Sequence, residues 1–276
     1  FNYPSHFFKD PSFFTFDNND FNSIEKSIQI KINGLYQPIE EKDLKPKFHS
    51  FGPDVTETIN NEEYKKPKIY DFSSDNFIKV KTIYTSSHAL IDLVLHIEKL
   101  HVFALRSVKS ESQHEIDFNK EFSHRCFTRF YGFVKDNDQI TGFVYEYMSN
   151  GSLSKYYESN KDKIDDIFSF MTMVRIFRGI EFLNSHNLVN RDFKPSNILL
   201  DHDYLPYISD FETIRRYDKS GDCTGNIGAP IYAPPELTGS NIFDHSTDIF
   251  SFGAIVFFLF EKKDMMIDKN KPIEKE

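Results

Sequence analysis

The chain has 276 residues, 39% of them hydrophobic and 27% charged, a composition that supports a packed core. A formal net charge of -9 argues against sequence-independent binding of DNA or RNA, which rests on cationic side chains displacing phosphate counterions. The two cysteines, Cys126 and Cys223, are too few for a disulfide framework and lack Cys-x-x-Cys spacing, so a reducing, cytoplasmic setting without structural zinc is expected.

Residues 1–70 mix Asn, Asp, Lys and Phe without a sustained period and predict an irregular segment. Within it Ile28, Ile30 and Ile32 alternate with polar residues before Asn33-Gly34, Leu35 and Tyr36, the pattern of a hairpin whose turn tolerates positive φ. Pro38 limits the return strand to an edge. From Phe51 to Lys68 the apolar content falls, and Gly52, Pro53 and Pro67 predict a linker. Strand-like runs then follow at Phe77 to Ile83, Leu90 to His96, His101 to Val108, Phe127 to Val134 and Ile140 to Tyr147, with a helical stretch after Ser110. Beyond Gly151 the pattern turns helical. Ile167, Phe170, Met171, Val174, Phe177, Phe182 and Leu183 recur at three- and four-residue steps and predict one apolar helix face. The run Ile249 to Phe260 is broken by Ser251 and Gly253 and falls short of the roughly 20 residues a bilayer span needs, so it predicts a buried helix and no membrane span. A strand-rich part joined to a helical part is a natural setting for a ligand cleft.

The stretch Asn190-Arg191-Asp192-Phe193-Lys194-Pro195-Ser196-Asn197-Ile198-Leu199-Leu200, followed by Ile208-Ser209-Asp210-Phe211, closely resembles the catalytic and metal-binding loops of eukaryotic protein kinases. Tyr232-Ala233-Pro234-Pro235-Glu236 resembles the end of the activation segment. Asp248-Ile249-Phe250-Ser251-Phe252-Gly253 resembles the start of the central helix, whose Asp holds the catalytic-loop backbone. Phe143 to Leu153 resembles the hinge, with Tyr145 as gatekeeper. A hinge of tyrosine-kinase type beside Lys194, the serine/threonine type of loop, resembles the tyrosine-kinase-like group of serine/threonine kinases.

The resemblance implies a fold and a set of roles. The fold is a two-lobed α+β kinase domain: a small antiparallel-sheet N-lobe with one helix over 71–145, and a larger helical C-lobe over 146–276 that ends before its last helices. Asp192 would orient the substrate hydroxyl, Lys194 would meet the transferring phosphoryl, and Asn197 and Asp210 would hold Mg against the phosphates of ATP. Arg106, standing where the family has Lys, would pair with Glu115 and place the phosphates. Ile91, Ala104 and Leu199 would sandwich adenine, and the backbone near Glu146 and Met148 would bond it. The implied partner is a protein substrate or a signalling protein.

Several residues depart from the family pattern. Tyr84, Ser86 and Ala89 occupy the three glycine positions of the phosphate-covering loop, where a Cβ hinders close backbone approach. Arg106 is longer and planar where an ammonium is usual. Glu212 replaces the Gly after Asp210-Phe211, Asn190 replaces the usual His, Asn119 places a second amide in the stack between the lobes, and Ala229 stands where a Thr contacts the catalytic Asp. Tyr217, Ser220 and Thr224 are loop hydroxyls near Arg191, Arg215 and Arg216. His124 matches a family landmark with no catalytic role. Two expectations remain open: a kinase with impaired catalysis, and a pseudokinase scaffold that binds nucleotide weakly or not at all.

Overall fold

A computed structural model of the chain describes residues 68–86, 89–108, 113–161, 164–217, 231–234 and 244–264, with the backbone alone of 55–59 and 62–66. The hairpin expected at 28–36, Ala229 and Glu236 lie outside the described residues. The stretch read as a linker carries two strands, β1 (Val55–Ile59) and β2 (Glu62–Lys66), paired antiparallel with Ile59 opposite Glu62. The prolines and glycine that suggested a linker flank this pair instead of interrupting it.

Six further strands form one sheet: β3 (Tyr70–Phe72), β4 (Phe77–Thr85), β5 (Leu90–His96), β6 (His101–Ser107), β7 (Phe130–Asp136) and β8 (Gln139–Glu146), in the order β3-β7-β8-β6-β5-β4. Five of them fall where the period-two pattern places them, although β7 starts three residues later than read. The turn between β7 and β8 is Asn137-Asp138, both at positive φ of 51° and 63°, the two-residue geometry whose twist suits a hairpin. The sheet is not wholly antiparallel as expected, because β3 runs parallel to β7. Gly132 permits this pairing: a Cβ there would lie 1.9 Å from the Tyr70 carbonyl oxygen. Both sheet faces are apolar. Phe72, Phe77, Val94, Phe103, Tyr131, Val134 and Val144 form one cluster, and Ile78, Val80, Leu93 and Leu95 form another.

The described residues within Lys68–Lys109 and Tyr131–Tyr147 form one compact unit, and those within Ser110–Phe130 and Met148–Glu276 form a second. The helix α1 (Gln113–Glu121) therefore belongs with the helical unit and not with the sheet that precedes it in sequence. Its apolar residues explain this, since the Phe118 ring packs on Phe127 at 5.8 Å and on Phe211 at 4.5 Å, and Phe122 packs on Phe182 at 5.9 Å. His124 completes the aromatic group by stacking on Phe182 at 4.7 Å. Burial, with Arg125 and Arg175 nearby, pushes its imidazole down to about 4, so it packs as a neutral ring.

The second unit adds α2 (Leu153–Asn160), α3 (Asp166–Ser185), the short strand β9 (Leu188–Val189), the hairpin β10 (Ile198–Leu200) with β11 (Pro206–Ile208), the short β12 (Arg215–Arg216) and α4 (His245–Glu261). Capping is regular: Ser152, Asp165 and Asp244 accept backbone N–H groups at the starts of α2, α3 and α4. Among the described residues no helix is long and apolar enough to cross a membrane.

On α3 the predicted apolar face is the buried one only in part: Leu183 is buried and Phe182 packs on the core, but the members nearer the start of the helix are exposed. Ile167, Phe170, Val174 and Phe177 are 70%, 55%, 39% and 43% exposed, whereas Ser169, Thr172, Ile176, Gly179, Ile180 and Leu183 are buried. Small and polar residues let this helix approach its neighbours closely. A Cβ on Gly179 would sit 2.2 Å from the Ile208 side chain, and Ser169 Oγ donates to the Leu259 carbonyl of α4 at 3.1 Å. An apolar count alone ranks such positions last, although they keep the 3.6-residue period.

A buried carboxylate joins α4 to the loop after β9. Asp248, in the first turn of α4 and 2% exposed, accepts the backbone N–H of Asn190 at 2.8 Å and of Arg191 at 2.9 Å. Burial raises its pKa to about 7, against the opposing pull of those two N–H groups and of the Arg191 charge.

Two predictions test these assignments by urea unfolding. Ile176→Ala is expected to cost about 2–5 kcal/mol through the cavity it leaves, while Phe170→Gln stays within about 0.5 kcal/mol; the reverse order would restore the face read from the sequence. A carboxyl whose folded pKa lies above its unfolded value of 3.8 favours the fold most below pH 3.8 and loses that contribution as pH rises to about 7. The stability advantage of the wild type over Asp248→Asn should thus shrink by up to about 4 kcal/mol across that window. An advantage that widens with pH would mean the carboxylate, not the acid, is the favoured buried form.

Candidate active site

The loop from Asn190 to Asn197 owes its shape to alternation. Phe193 is 1% exposed and sits in the core of the helical unit with Phe211, Leu153 and Ile198, whereas Asp192 and Lys194 are only partly buried. Extended backbone at Lys194, with φ -160° and ψ 160°, puts the side chains at 192 and 194 on the same side and the ring between them on the other. Lys194 Nζ then lies 2.6 Å from Asp192 Oδ2. The next three residues, Pro195–Asn197, make one turn of 3-10 helix opened by a proline, whose fixed φ suits that position. The turn swings Asn197 back toward Asp192, so that its Nδ2 donates to Asp192 Oδ2 and to the Asp192 carbonyl, each at 3.0 Å. Lys194 and Asn197 thus hold the same carboxylate oxygen.

The hairpin register sets the segment that carries Asp210 beside this group. Ile198 pairs with Ile208, which sets Ser209 beside Asn197, and Ser209 donates to the Asn197 carbonyl from both its N–H and its Oγ, each at 2.9 Å. The next residue is Asp210, exposed and in the left-handed region at φ 64°, a conformation Asp tolerates better than most side chains. Asp192, Lys194, Asn197 and Asp210 therefore share one loop cluster of the helical unit. Asn197 Nδ2 is spent on Asp192, which leaves Oδ1 as its acceptor. That oxygen and the Asp210 carboxylate are hard donors of the kind Mg takes alongside phosphate oxygens and water, so the residues fit the metal.

The supports around this cluster are partly unmarked in the sequence. Thr213 Oγ1 donates to the Asn190 carbonyl at 2.7 Å, and the Thr213 carbonyl accepts Arg191 Nε at 2.8 Å, which stitches the segment after Asp210 to the loop before Asp192. Ser209 and Thr213 carry no pattern of their own beyond adjacency to Asp210. Asn190 is 1% exposed; its Oδ1 accepts the Asp192 N–H at 3.1 Å, while its Nδ2 has no hydrogen-bond partner. One half of this amide thus braces Asp192 and the other half carries a desolvation cost. Asn119 and Glu115 of α1 are buried as well, at 2% and 1% exposure.

Met148 is buried, and its carbonyl accepts the Gly151 N–H at 3.2 Å in the turn that leads into α2. Leu200 N–H donates to the Gly151 carbonyl at 2.8 Å, and Ser152 bridges to Leu199, so this turn brings Met148 and Leu199 to the strand that follows Asn197.

In the sheet unit, Ile91 lies opposite Arg106, Ala104 lies between Leu93 and Tyr145, and Arg106 is also paired with Phe143, so these residues share one sheet face. The Arg106 guanidinium stands 4.8 Å over the Phe143 ring. Glu146 ends β8 opposite Phe103. At the turn from β4 to β5 the Ser86 N–H donates to the Ala89 carbonyl at 2.8 Å, and the Ala89 N–H donates to Ser86 Oγ at 2.9 Å. Two amides at the family's glycine positions are therefore committed within the hairpin, and Tyr84 projects as an exposed ring.

The chain is similar in sequence to several protein kinases. A probable LIM domain-containing serine/threonine-protein kinase of Dictyostelium discoideum is 31% identical over 142 residues, which is 51% of this chain and 22% of that protein. A leaf rust 10 disease-resistance locus receptor-like protein kinase-like protein of Arabidopsis thaliana is 25% identical over 233 residues, 78% of this chain and 34% of the relative. A probable serine/threonine-protein kinase of the same plant is 30% identical over 162 residues, 57% of this chain and 39% of its own length. The chain thus spans less than half the length of these relatives. Its match to the protein kinase domain extends over residues 65–276, most of its length, and with its loops built as described the chain belongs to the protein kinase domain family.

Proposed function

We propose that the chain transfers the terminal phosphoryl group of ATP, with Mg, to serine or threonine hydroxyls of protein substrates, at a rate well below that of an intact kinase. The observation that carries this reading is the double grip on Asp192 Oδ2 by Lys194 at 2.6 Å and Asn197 at 3.0 Å. It leaves the second oxygen of Asp192 to meet a hydroxyl and take its proton. Lys194, beside that oxygen, supplies positive charge where the transferring phosphoryl becomes most negative. Asn197 Oδ1 and the Asp210 carboxylate would hold Mg, which when bound would supply positive charge against the phosphates. The names of the relatives favour serine and threonine as acceptors.

The slowed rate follows from the phosphate grip. Amides of Ser86 and Ala89 that are bonded within the hairpin cannot also bond phosphate oxygens. The Arg106 cation already lies over Phe143, so reaching the phosphates costs it that contact, and Glu212 adds an exposed negative charge next to Phe211. Each decade of rate corresponds to about 1.4 kcal/mol, so a few weakened contacts cost several decades. The same observations favour a second reading, a pseudokinase that serves as a signalling scaffold.

Thermal shift with ATP, with and without Mg, followed by radiolabel transfer to a protein substrate, separates the two. The kinase reading expects stabilisation that needs Mg and transfer that falls at least about 100-fold in Asp192→Asn. Undiminished transfer in that variant would remove Asp192 from its role, and no transfer with no shift would select the scaffold. Restoring glycine at 84, 86 and 89 together with Arg106→Lys is expected to enlarge the ATP-dependent shift. A folded, repaired protein that gains no ATP binding would show that the hairpin and Arg106 are not what weakens the grip.

A further inference from the structure

The segment after Asp210 touches α1 at two points. The first is aromatic, Phe211 on Phe118 at 4.5 Å. The second lies five residues on, where Arg216 NH2 donates to both oxygens of Glu121, at 2.6 and 2.7 Å, and its guanidinium covers the Phe122 ring at 5.5 Å. Arg216 is itself fixed, because β12 pairs with β9 with Arg216 opposite Leu188, and the Tyr217 N–H donates to the Asn187 carbonyl at 3.0 Å. Positions 118, 121 and 122 are three and four residues apart, so both contacts fall on one side of a helix of only nine residues. So short a helix is marginal by itself and takes its order from what it packs against.

We propose that Arg216 is a positioning residue: by clasping Glu121 and Phe122 it holds the C-terminal end of α1 to the segment that follows Asp210. A single exposed ion pair is worth little, and both side chains here are more than half exposed, at 55% and 53%. This one adds a second bond from the same nitrogen and a ring beneath the cation, and it joins segments 95 residues apart. Glu115, six residues before Glu121 on the same helix, is set in place along with it. Only this consequence for Glu115 rests on the phosphoryl-transfer reading; the clasp itself does not.

Amide hydrogen exchange on the full chain tests the clasp without reference to activity. In Arg216→Ala the amides of α1 are expected to exchange about 3- to 10-fold faster, with those of α3 and α4 unchanged. Arg216→Lys, a point charge without the planar fork, should fall between that variant and the wild type. The exchanged pair Arg216→Glu with Glu121→Arg should recover most of the protection that Arg216→Glu alone loses. Unchanged exchange in α1, an increase spread over the whole helical unit, or a charge exchange that recovers nothing would each overturn the proposal. A protein that transfers no phosphate yet shows the expected exchange would reject the function and keep the clasp.

Discussion

The loop that carries the proposed active site depends on one buried acid. Asp248 fills two backbone donors of the Asn190–Arg191 turn, at a point where Arg191 adopts a positive φ of 71° that helix and strand ladders cannot support. Without that acceptor two N–H groups would be buried unpaired, and the turn that aims Asp192 would have no reason to persist. Because Asp248 stands in the first turn of α4, the geometry of the loop is inherited from a helix of 17 residues whose own position is set by packing. The geometry of the proposed site is in this sense a property of the core: Phe193 and Phe211, which flank the polar cluster, are each 1% exposed and belong to the same apolar cluster as Ile255 and Leu259 of α4.

Much of this is legible in the sequence. The strands show themselves through alternation, and the loop from Asn190 to Leu200 through an order of residue types that resembles the kinase catalytic loop. What was not legible depends on close approach. Ser169, Thr172 and Gly179 share the buried stripe of α3 with Ile176, Ile180 and Leu183 because they are small, and a count of apolar residues alone turns the start of the helix the wrong way. The parallel β3 was missed for a related reason, since a three-residue strand has almost no period and its partner is chosen by the absence of a side chain at Gly132.

Contacts between segments far apart in sequence form a second class of illegible feature. Nothing local at Glu121 or Arg216 announces their pairing across 95 residues. Nor does anything in the sequence assign α1 to the helical unit; that follows from ring packing among Phe118, Phe122, Phe127 and Phe211, which needs the three-dimensional arrangement. The roles of Ser209 and Thr213 are similar. Their hydroxyls act on carbonyls of residues 12 and 23 positions away, through the β10–β11 pairing for Ser209 and the β9–β12 pairing for Thr213.

The departures from the family pattern fall into two groups with different physical consequences. Asn190 sits within the helical unit and is absorbed at a modest cost: its Oδ1 braces the Asp192 N–H, so the loop keeps its shape although Nδ2 is buried unpaired. Ser86, Ala89 and Arg106 in the sheet unit are different, because their polar groups have found partners inside that unit, one another in the hairpin and the Phe143 ring for the guanidinium. A group left idle binds a ligand at little cost, whereas a group already engaged must first give up what it holds. In the proposed reading the groups around Asp192 are therefore preorganised while those proposed to hold phosphate are already engaged, and this asymmetry, more than any single missing residue, would set the rate of phosphoryl transfer.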